Sequence, residues 1–177
     1  MPDFDRDKTK ALLHHVCSRC RDESSLGAVK LRKILWFADI TAFRAWGTPI
    51  TGDTYIKLDY GPVPRHANEL LKELAQEGKV ADHIVNFYGF SKHEYVSLQP
   101  ADVEPFSVQE IALVDEVIDL VCDHTAKSIS DVSHDDIWKI AKIGEEIPFE
   151  ATLVADLGEV DEDDVKWALK ELRKTAA

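Results

Sequence analysis

The chain has 177 residues, of which 45% are hydrophobic and 31% are charged, and its formal net charge is −12. This composition excludes a disordered chain and predicts one folded domain with a sizeable core. The negative charge disfavours a nucleic-acid binder, which needs a basic face to neutralise phosphates, and favours a basic protein partner.

The sequence carries no sign of a secretory or membrane segment. Its first residues, MPDFDRDKTK, are polar, and its longest aliphatic-aromatic run, in residues 34–38, is far too short to span a bilayer. Three cysteines, an odd number, do not form a disulfide framework. We therefore expect a protein of the reducing cytoplasm that makes no contact with a membrane.

Two helices are predicted at the beginning of the chain. The first begins after Asp5 or Asp7, either of which can cap it, and continues to about Cys20. The second covers residues 27–46 and is stopped by Gly47.

The second helix has two apolar faces. One face is aliphatic, and the nearly opposite face contains Trp36, Ile40 and Phe43. Such a helix is either sandwiched in the core, which is the commoner arrangement, or exposes a patch to a partner. The partner hypothesis puts the three large residues of the second face in or directly under the binding surface. Lys30 and Arg32 then lie near its edge.

An unusual stretch, YGPVP in residues 60–64, precedes the next helix. A short extended piece, residues 55–59, leads into it. Because proline fixes φ at about −65° and glycine permits angles that other residues avoid, Gly61 and Pro62 are predicted to form a tight turn. Pro64 then opens a helix over residues 65–77.

A β-hairpin is predicted over residues 80–98, because two runs rich in β-branched and aromatic residues flank a turn near Gly89. Ser107 and Glu110 form a capping box that opens a largely apolar helix to about Asp123. We expect this helix to be central.

Short helices are expected at residues 130–133 and 135–143, and a last helix, capped by Asp161, extends to about residue 174. With no repeat and no linker, residues 1–177 are interpreted as one compact domain of the α+β class, mainly α-helical, with a small antiparallel β-hairpin or sheet. Residues 150–177 form an acidic segment and helix at its end.

The order of helix, turn, helix and hairpin is that of a winged helix in part of the chain. In a DNA reader of this type, the helix before the wing enters the major groove. Here that helix carries Glu69, Glu73 and Glu77, which makes DNA an unfavourable partner. A winged-helix-like transcriptional regulator is the alternative function that the sequence leaves open.

No residue pattern predicts a metal centre, a cofactor or catalysis. Cys17 and Cys20 form a CxxC pair beside two histidines, but zinc usually takes four ligands, and the next pair, Cys122 and His124, is distant in sequence. The letters SHDD in residues 133–136 are contiguous, whereas the members of a catalytic triad meet from distant segments. Phosphate-loop and dinucleotide fingerprints do not occur. We expect neither an enzyme nor a bound cofactor.

Three short blocks, taken together, resemble one family. KLRKILWFAD in residues 30–39, YGPV in 60–63 and SHDDIW in 133–138 are similar, in order and spacing, to motifs of the Panacea, or SocA-like antitoxin, domain. The resemblance covers about residues 9–149 and implies family-motif roles for Lys30, Lys33, Tyr60, Gly61, Pro62, His134 and Trp138. The chain departs from the family pattern at three positions, with Ser133 for threonine, Ile137 for proline and Trp36 for tyrosine.

The resemblance implies a bacterial or phage protein that neutralises a toxin by binding it. Its implied partner is a protein toxin encoded nearby and, because at least one family member delivers its toxin to a Clp-type protease, such a protease as well. Two roles stay open for the motif residues. They either organise the core, with the Tyr60 hydroxyl or the His134 ring hydrogen-bonded inside, or position a surface for the partner.

Overall fold

The computed structural model describes residues 3–20, 26–87 and 89–154. The helices are α1 (Arg6–Arg19), α2 (Ala28–Trp46), α3 (Ala67–Gln76), α4 (Val108–Cys122), α5 (Ala126–Val132), α6 (Asp136–Ile140) and α7 (Ala151–Val154). The strands are β1 (Tyr55–Leu58), β2 (Gly61–Pro64), β3 (Val80–Phe87), β4 (Phe90–Ser97) and β5 (Glu146–Ile147). Two small antiparallel sheets, β2-β1-β5 and β3-β4, complete a mainly helical α+β fold, as predicted. The predicted last helix, capped by Asp161, lies outside the described residues.

The first two helices begin and end at the residues that the sequence indicates. Asp5 caps α1 because its carboxylate accepts a hydrogen bond from the Lys8 backbone N–H at 2.9 Å. Gly47 ends α2 with a φ of 75°, in the left-handed region that glycine adopts without strain. Both predicted helices are confirmed.

The core forms around α2, which packs against α1, α4, α5 and β2. Its aliphatic face is fully buried as far as Ala42, whereas Ala45 near the end of the helix is exposed. On the opposite face, Trp36 has only 1% of its surface exposed. The Trp36 ring meets Tyr55 edge-on at a centroid distance of 4.9 Å and stacks on Phe149 at 6.3 Å. At Trp36, α2 is therefore sandwiched, the commoner of the two arrangements expected for it.

Asp39 of α2 fixes the segment that leads into β1. Its Oδ1 accepts the backbone N–H groups of Ile50 at 2.8 Å and Thr51 at 2.9 Å. Its Oδ2 accepts the hydroxyl groups of Thr51 and Tyr55, the latter at 2.7 Å. A fully buried carboxylate is tolerated here because four donors satisfy it. The network holds Tyr55, the first residue of β1, beside the core.

The stretch YGPVP does not form the predicted turn. Gly61–Pro64 is strand β2, whose register with β1 brings Gly61 opposite Leu58, so Asp59 and Tyr60 make the turn instead. Among the described strands β2 lies at the edge of its sheet, where a residue without a backbone N–H is tolerated. The following helix α3 accordingly begins at Ala67, later than the predicted residue 65.

The β3-β4 hairpin and the capping box of α4 are confirmed, with the Ser107 hydroxyl accepting from the Glu110 N–H at 3.2 Å. The central position expected for α4 is wrong. Its buried residues form one stripe, Val114, Ile118 and Val121, because it packs on one side against α1 and α2. Neither α4 nor another helix in the described ranges has the length and hydrophobicity of a membrane span.

Two short helices follow α4, as predicted, but their bounds differ. Thr125 caps α5, which therefore begins at Ala126 rather than near residue 130. Asp135 caps α6 by accepting the Trp138 backbone N–H at 2.8 Å, and α6 ends at Ile140.

Candidate functional site

The three sequence motifs meet at the side chain of Lys33. This lysine extends from α2 into the interior and is 1% exposed. A Cβ atom on Gly61 of β2 would overlap Lys33 Nζ and would lie 2.6 Å from Ser133 Oγ. Gly61 also has a φ of 102°, which side chains disfavour. Glycine is therefore what lets the backbone of β2 lie directly against the lysine.

The Lys33 ammonium receives little compensation for its burial. Its hydrogen bond to a described residue is long, 3.5 Å from Nζ to the Pro62 carbonyl oxygen. Burial, and then the nearby charge of Arg32, lowers the pKa of Lys33 to about 7. Near neutral pH this side chain therefore exists partly as the neutral amine.

The third motif builds a stack beside Lys33. The rings of His134 and Trp138 lie face to face at a centroid distance of 3.7 Å, and Lys57 Nζ lies 4.0 Å from the Trp138 ring centroid. Trp138 Nε1 donates to the Leu58 carbonyl oxygen at 3.1 Å, and Lys57 Nζ donates to that of Ala141 at 2.8 Å. The stack thus joins α6 to the end of β1. Nothing in the sequence indicated that Lys57 takes part.

Two buried polar atoms of the same segment, Ser130 Oγ and His134 Nε2, make no hydrogen bond with a described residue. Buried groups of this kind are commonly satisfied by ordered water. Burial, and then the charge of Lys33, lowers the pKa of His134. The cluster can therefore hold a water molecule or exchange a proton at Lys33, while its main contacts organise the backbone of β2 and α6.

The motif residues were expected either to organise the core or to position a surface for the partner, and the structure places them at different depths. Lys33, Gly61 and Pro62 are buried and organise the interior. Tyr60 is 71% exposed, so its hydroxyl is not held inside the core as one alternative required. The His134 ring is half-buried and is held by stacking on Trp138.

The three large residues of the proposed partner face lie at different depths. Trp36 is a core residue, so a partner cannot touch it directly. Ile40 and Phe43 are half-buried, and the Phe43 ring lies 5.6 Å from that of Phe149. A partner at this face would contact Ile40 and Phe43, with Trp36 beneath them.

Lys30 and Arg32 were expected at the edge of the same face. Lys30 is buried, and its Nζ donates to the Cys122 carbonyl oxygen at 3.1 Å. Arg32 is half-buried and donates to Asn68 Oδ1 at 2.9 Å. The two side chains thus tie α2 to α4 and to α3 respectively.

Cys20 lies against Cys122 in the structure, although Cys17 and Cys20 form the CxxC pair of the sequence. Cys20 Sγ lies 2.7 Å from Cys122 Sγ, whereas Cys17 is buried and burial raises the pKa of its thiol to about 12. His15 Nε2 lies 2.8 Å from Asp115 Oδ1. In the part of the chain that the structure describes, no three such side chains are arranged to hold a metal ion.

The carboxylates of α3 face α1 rather than an open groove. Arg6 pairs with Glu69 at 2.9 Å and with Glu73, and Lys10 pairs with Glu73 at 3.1 Å and with Glu77. The helix that would enter the major groove of DNA is thus acidic and already occupied by cations of the same chain. This arrangement makes it unfavourable for α3 to bind DNA as the recognition helix of a winged-helix protein does.

Exposed apolar side chains occur at the turn between β1 and β2 and in the segment after residue 138 that is hydrogen-bonded to β1. We define the hairpin-tip surface as four large, exposed side chains. Their exposed fractions are 41% for Leu58, 71% for Tyr60, 83% for Ile140 and 60% for Ile143. The hydrogen bond from Trp138 to Leu58 holds α6 beside the tip. Backbone hydrogen bonds of 2.9 Å between Lys57 and residues 144 and 145 hold the segment after α6 there as well.

A family model, described as antitoxin SocA-like, Panacea domain, matches residues 31–139 of this chain. The match includes Lys33, Gly61 and the His134–Trp138 stack, but it leaves out α1, which the expected range of residues 9–149 included. No curated protein and no solved structure gives a significant match. Because the family match spans well over half of the 177 residues, the chain belongs to the Panacea family of SocA-like antitoxin domains, which supports an antitoxin-type role.

Proposed function

We propose that this protein neutralises a protein toxin by binding it directly, and that it does so without catalysing a reaction. The observation that carries the proposal is the match of residues 31–139 to the SocA-like antitoxin family. The net charge of −12 supports it, because an acidic protein attracts a basic partner and repels nucleic acid.

We propose the hairpin-tip surface as the part of the molecule that the toxin contacts. Soluble monomers seldom expose large apolar side chains in one place, and tyrosine is enriched among residues that dominate binding energy. Exposed charged residues, Lys139, Lys142 and Glu145, accompany these apolar side chains. An apolar centre with a polar rim is the usual anatomy of a protein interface.

The buried cluster around Lys33 supports the same proposal, because its contacts fix the hairpin tip. Gly61 packs on Lys33 on one side of the tip, and Trp138 binds the Leu58 carbonyl on the other. A surface that is fixed before binding loses less conformational entropy on association. The motif residues would then act mainly by holding the tip in its binding geometry.

The α2 face remains a second proposed contact, limited to its half-buried residues Ile40 and Phe43. It does not compete with the first proposal, because a toxin interface of standard size contains about 20–30 residues on each side. Substitutions at the two surfaces separate their contributions.

The test is co-expression of this protein with the product of the adjacent open reading frame, followed by affinity purification and a growth assay. We expect a stable complex and rescued growth. Tyr60→Ala combined with Ile140→Asp should weaken the complex at least tenfold, while Val108→Asp, at an 87% exposed position outside the tip, should not. Full rescue by the first, correctly folded variant would contradict the assignment of the tip.

A sequence-selective interaction of the purified protein with duplex DNA at physiological salt would instead support a transcriptional regulator. Delivery of the toxin to a Clp-type protease is a separate proposal that the family resemblance supports. It predicts that the toxin half-life in cells falls when this protein is present and recovers when the protease is deleted. An unchanged half-life with full rescue would leave neutralisation by binding alone.

A further inference from the structure

Three helix ends meet in one corner of the molecule. Cys20 caps the C-terminal end of α1, and Cys122 is the last residue of α4. Their Sγ atoms are 2.7 Å apart although 102 sequence positions separate them. Lys30, in the first turn of α2, donates to the Cys122 carbonyl oxygen at 3.1 Å. No disulfide joins the two sulfur atoms in the structure.

We propose that Cys20 and Cys122 form a site of reversible oxidative modification, at which a low-molecular-weight disulfide such as oxidised glutathione converts the two thiols into an intramolecular disulfide. The geometry carries the proposal because disulfide formation requires two sulfur atoms that can come into direct contact. Holding two reacting groups together raises their effective concentration and favours the intramolecular product.

The surroundings of the two thiols suit this reaction. Both cysteines are half-buried, so neither residue is shut inside the core or fully open to solvent. Thiol–disulfide exchange proceeds through the thiolate of one of the two cysteines. The site lies outside the Lys33 cluster and outside the hairpin-tip surface.

The CxxC pairing of Cys20 with Cys17 is disfavoured by the same criteria. Cys17 is 3% exposed, and its thiol stays protonated because burial raises its pKa to about 12. Cys17 therefore provides a matched control, since it lies about one helical turn from Cys20 but is buried, whereas Cys20 is half-buried.

The reaction balances as two exchange steps. The thiolate of one cysteine attacks a sulfur atom of the small disulfide, forming a mixed disulfide and expelling one small thiolate. The thiolate of the other cysteine then attacks the protein sulfur of the mixed disulfide and expels the second. Two electrons pass from the protein thiols to the small disulfide, and the two protons of the protein thiols are taken up by the two small thiolates. A small thiol in excess reverses both steps.

The cross-link would join the end of α1 to the end of α4. It would close a long loop and so restrict the unfolded chain. Because Cys122 also accepts the hydrogen bond from Lys30, the link would further fix the first turn of α2. The oxidised protein should therefore unfold at a higher temperature than the reduced protein.

The experiment uses the full-length protein, fully reduced and then incubated under native conditions with oxidised and reduced glutathione at graded ratios. We expect the protein mass to fall by the two thiol hydrogens, and peptide mapping to recover Cys20 linked to Cys122. Cys17→Ser should behave like the wild type. Cys20→Ser and Cys122→Ser should lose the link and instead carry one glutathione on the remaining cysteine of the pair.

Thermal melts supply a second readout. The oxidised wild type and Cys17→Ser should each melt several degrees above their reduced forms, and the shift should vanish in Cys20→Ser. A link between Cys17 and Cys20 would overturn the proposal. So would a wild type that keeps both thiols in excess oxidised glutathione, or that forms the link only in denaturant. Because the wild type alone decides these outcomes, an unstable serine variant does not weaken the test.

Discussion

The backbone of Gly61 lies directly on the ammonium group of Lys33, and this contact joins the edge strand β2 to the central helix α2. It brings together two of the three sequence blocks on which the family resemblance rests, and Ser133 of the third block lies at the same point. The contact depends on the missing side chain of Gly61, so it can be probed by adding a single methyl group.

Gly61→Ala should destabilise the protein by more than about 3 kcal/mol. A side chain in the left-handed region costs roughly 1–2 kcal/mol, and here the new Cβ would also displace Lys33 and Ser133. Gly78→Ala is the matched control, since Gly78 has a φ of 68° and its Cβ would meet nothing within 4 Å. Urea unfolding measures both variants. Equal losses of stability would show that the approach to Lys33 is not tight.

Lys33→Met should remove part of the pH dependence of stability. The unfolded chain binds the Lys33 proton up to about its ordinary pKa of 10.5, whereas the folded protein releases it near pH 7. The unfolded state therefore binds more protons in this window, and the free energy of unfolding rises with pH there by up to about 1.4 kcal/mol per pH unit.

The advantage of Lys33→Met over the wild type should accordingly be largest at or below pH 7 and should shrink towards pH 9. Unfolding curves at pH 7, 8 and 9 measure the difference. Titrating groups away from Lys33, such as Cys17 and Tyr95, are common to both proteins and cancel. Burial, and then the Lys33 charge, lowers the pKa of His134, so the comparison uses the interval from pH 7 to 9, above the range in which His134 titrates. Parallel pH profiles for the two proteins would mean that Lys33 keeps its proton in the folded state.

Tyr55→Phe should cost about 1–3 kcal/mol, because it removes one donor from the buried Asp39 carboxyl group. Asp39→Asn should cost more. Four donors point at the two carboxyl oxygen atoms of Asp39, and the NH2 group that replaces one oxygen cannot accept a hydrogen bond. In a double-mutant cycle the two losses should not add. Additive losses would contradict the direct bond between Tyr55 and Asp39.

Trp36→Ala should lower the free energy of unfolding by about 3–5 kcal/mol, because it leaves a cavity between Tyr55 and Phe149. Tyr60→Ala, at an exposed position, should stay within about 0.5 kcal/mol of the wild type. Thermal melts and chemical denaturation distinguish them. A Trp36→Ala protein of unchanged stability would show that this face is open rather than sandwiched.

The α2 face is tested as a toxin contact with its half-buried residues instead. Phe43→Ala and Ile40→Asp should weaken neutralisation in the growth assay while the proteins remain folded by circular dichroism. The reason is that aromatic and aliphatic anchors at an interface each cost about 2 kcal/mol or more when removed. Full rescue by both folded variants would remove this face from the binding surface.

The elements whose sequence signals are local could be predicted from the amino-acid sequence alone. Asp5, Gly47 and Ser107 mark helix ends, because capping is a contact between residues a few positions apart. The β-hairpin followed from alternation and β propensity in two adjacent runs. The three sequence blocks that indicated the family were also readable in order along the chain, and the match over residues 31–139 confirms the family.

Tertiary packing decided what the local signals left open. Gly61–Pro64 is a strand because β1 offers it a partner, and its prolines fit since it lies at the sheet edge. Trp36 is buried because Tyr55 and Phe149 pack on it. The periodicity of apolar residues in α2 does not show which residues cover this face. The contact between Cys20 and Cys122 likewise joins residues far apart in sequence. Such contacts depend on which elements pack together, and no local pattern of residues specifies that.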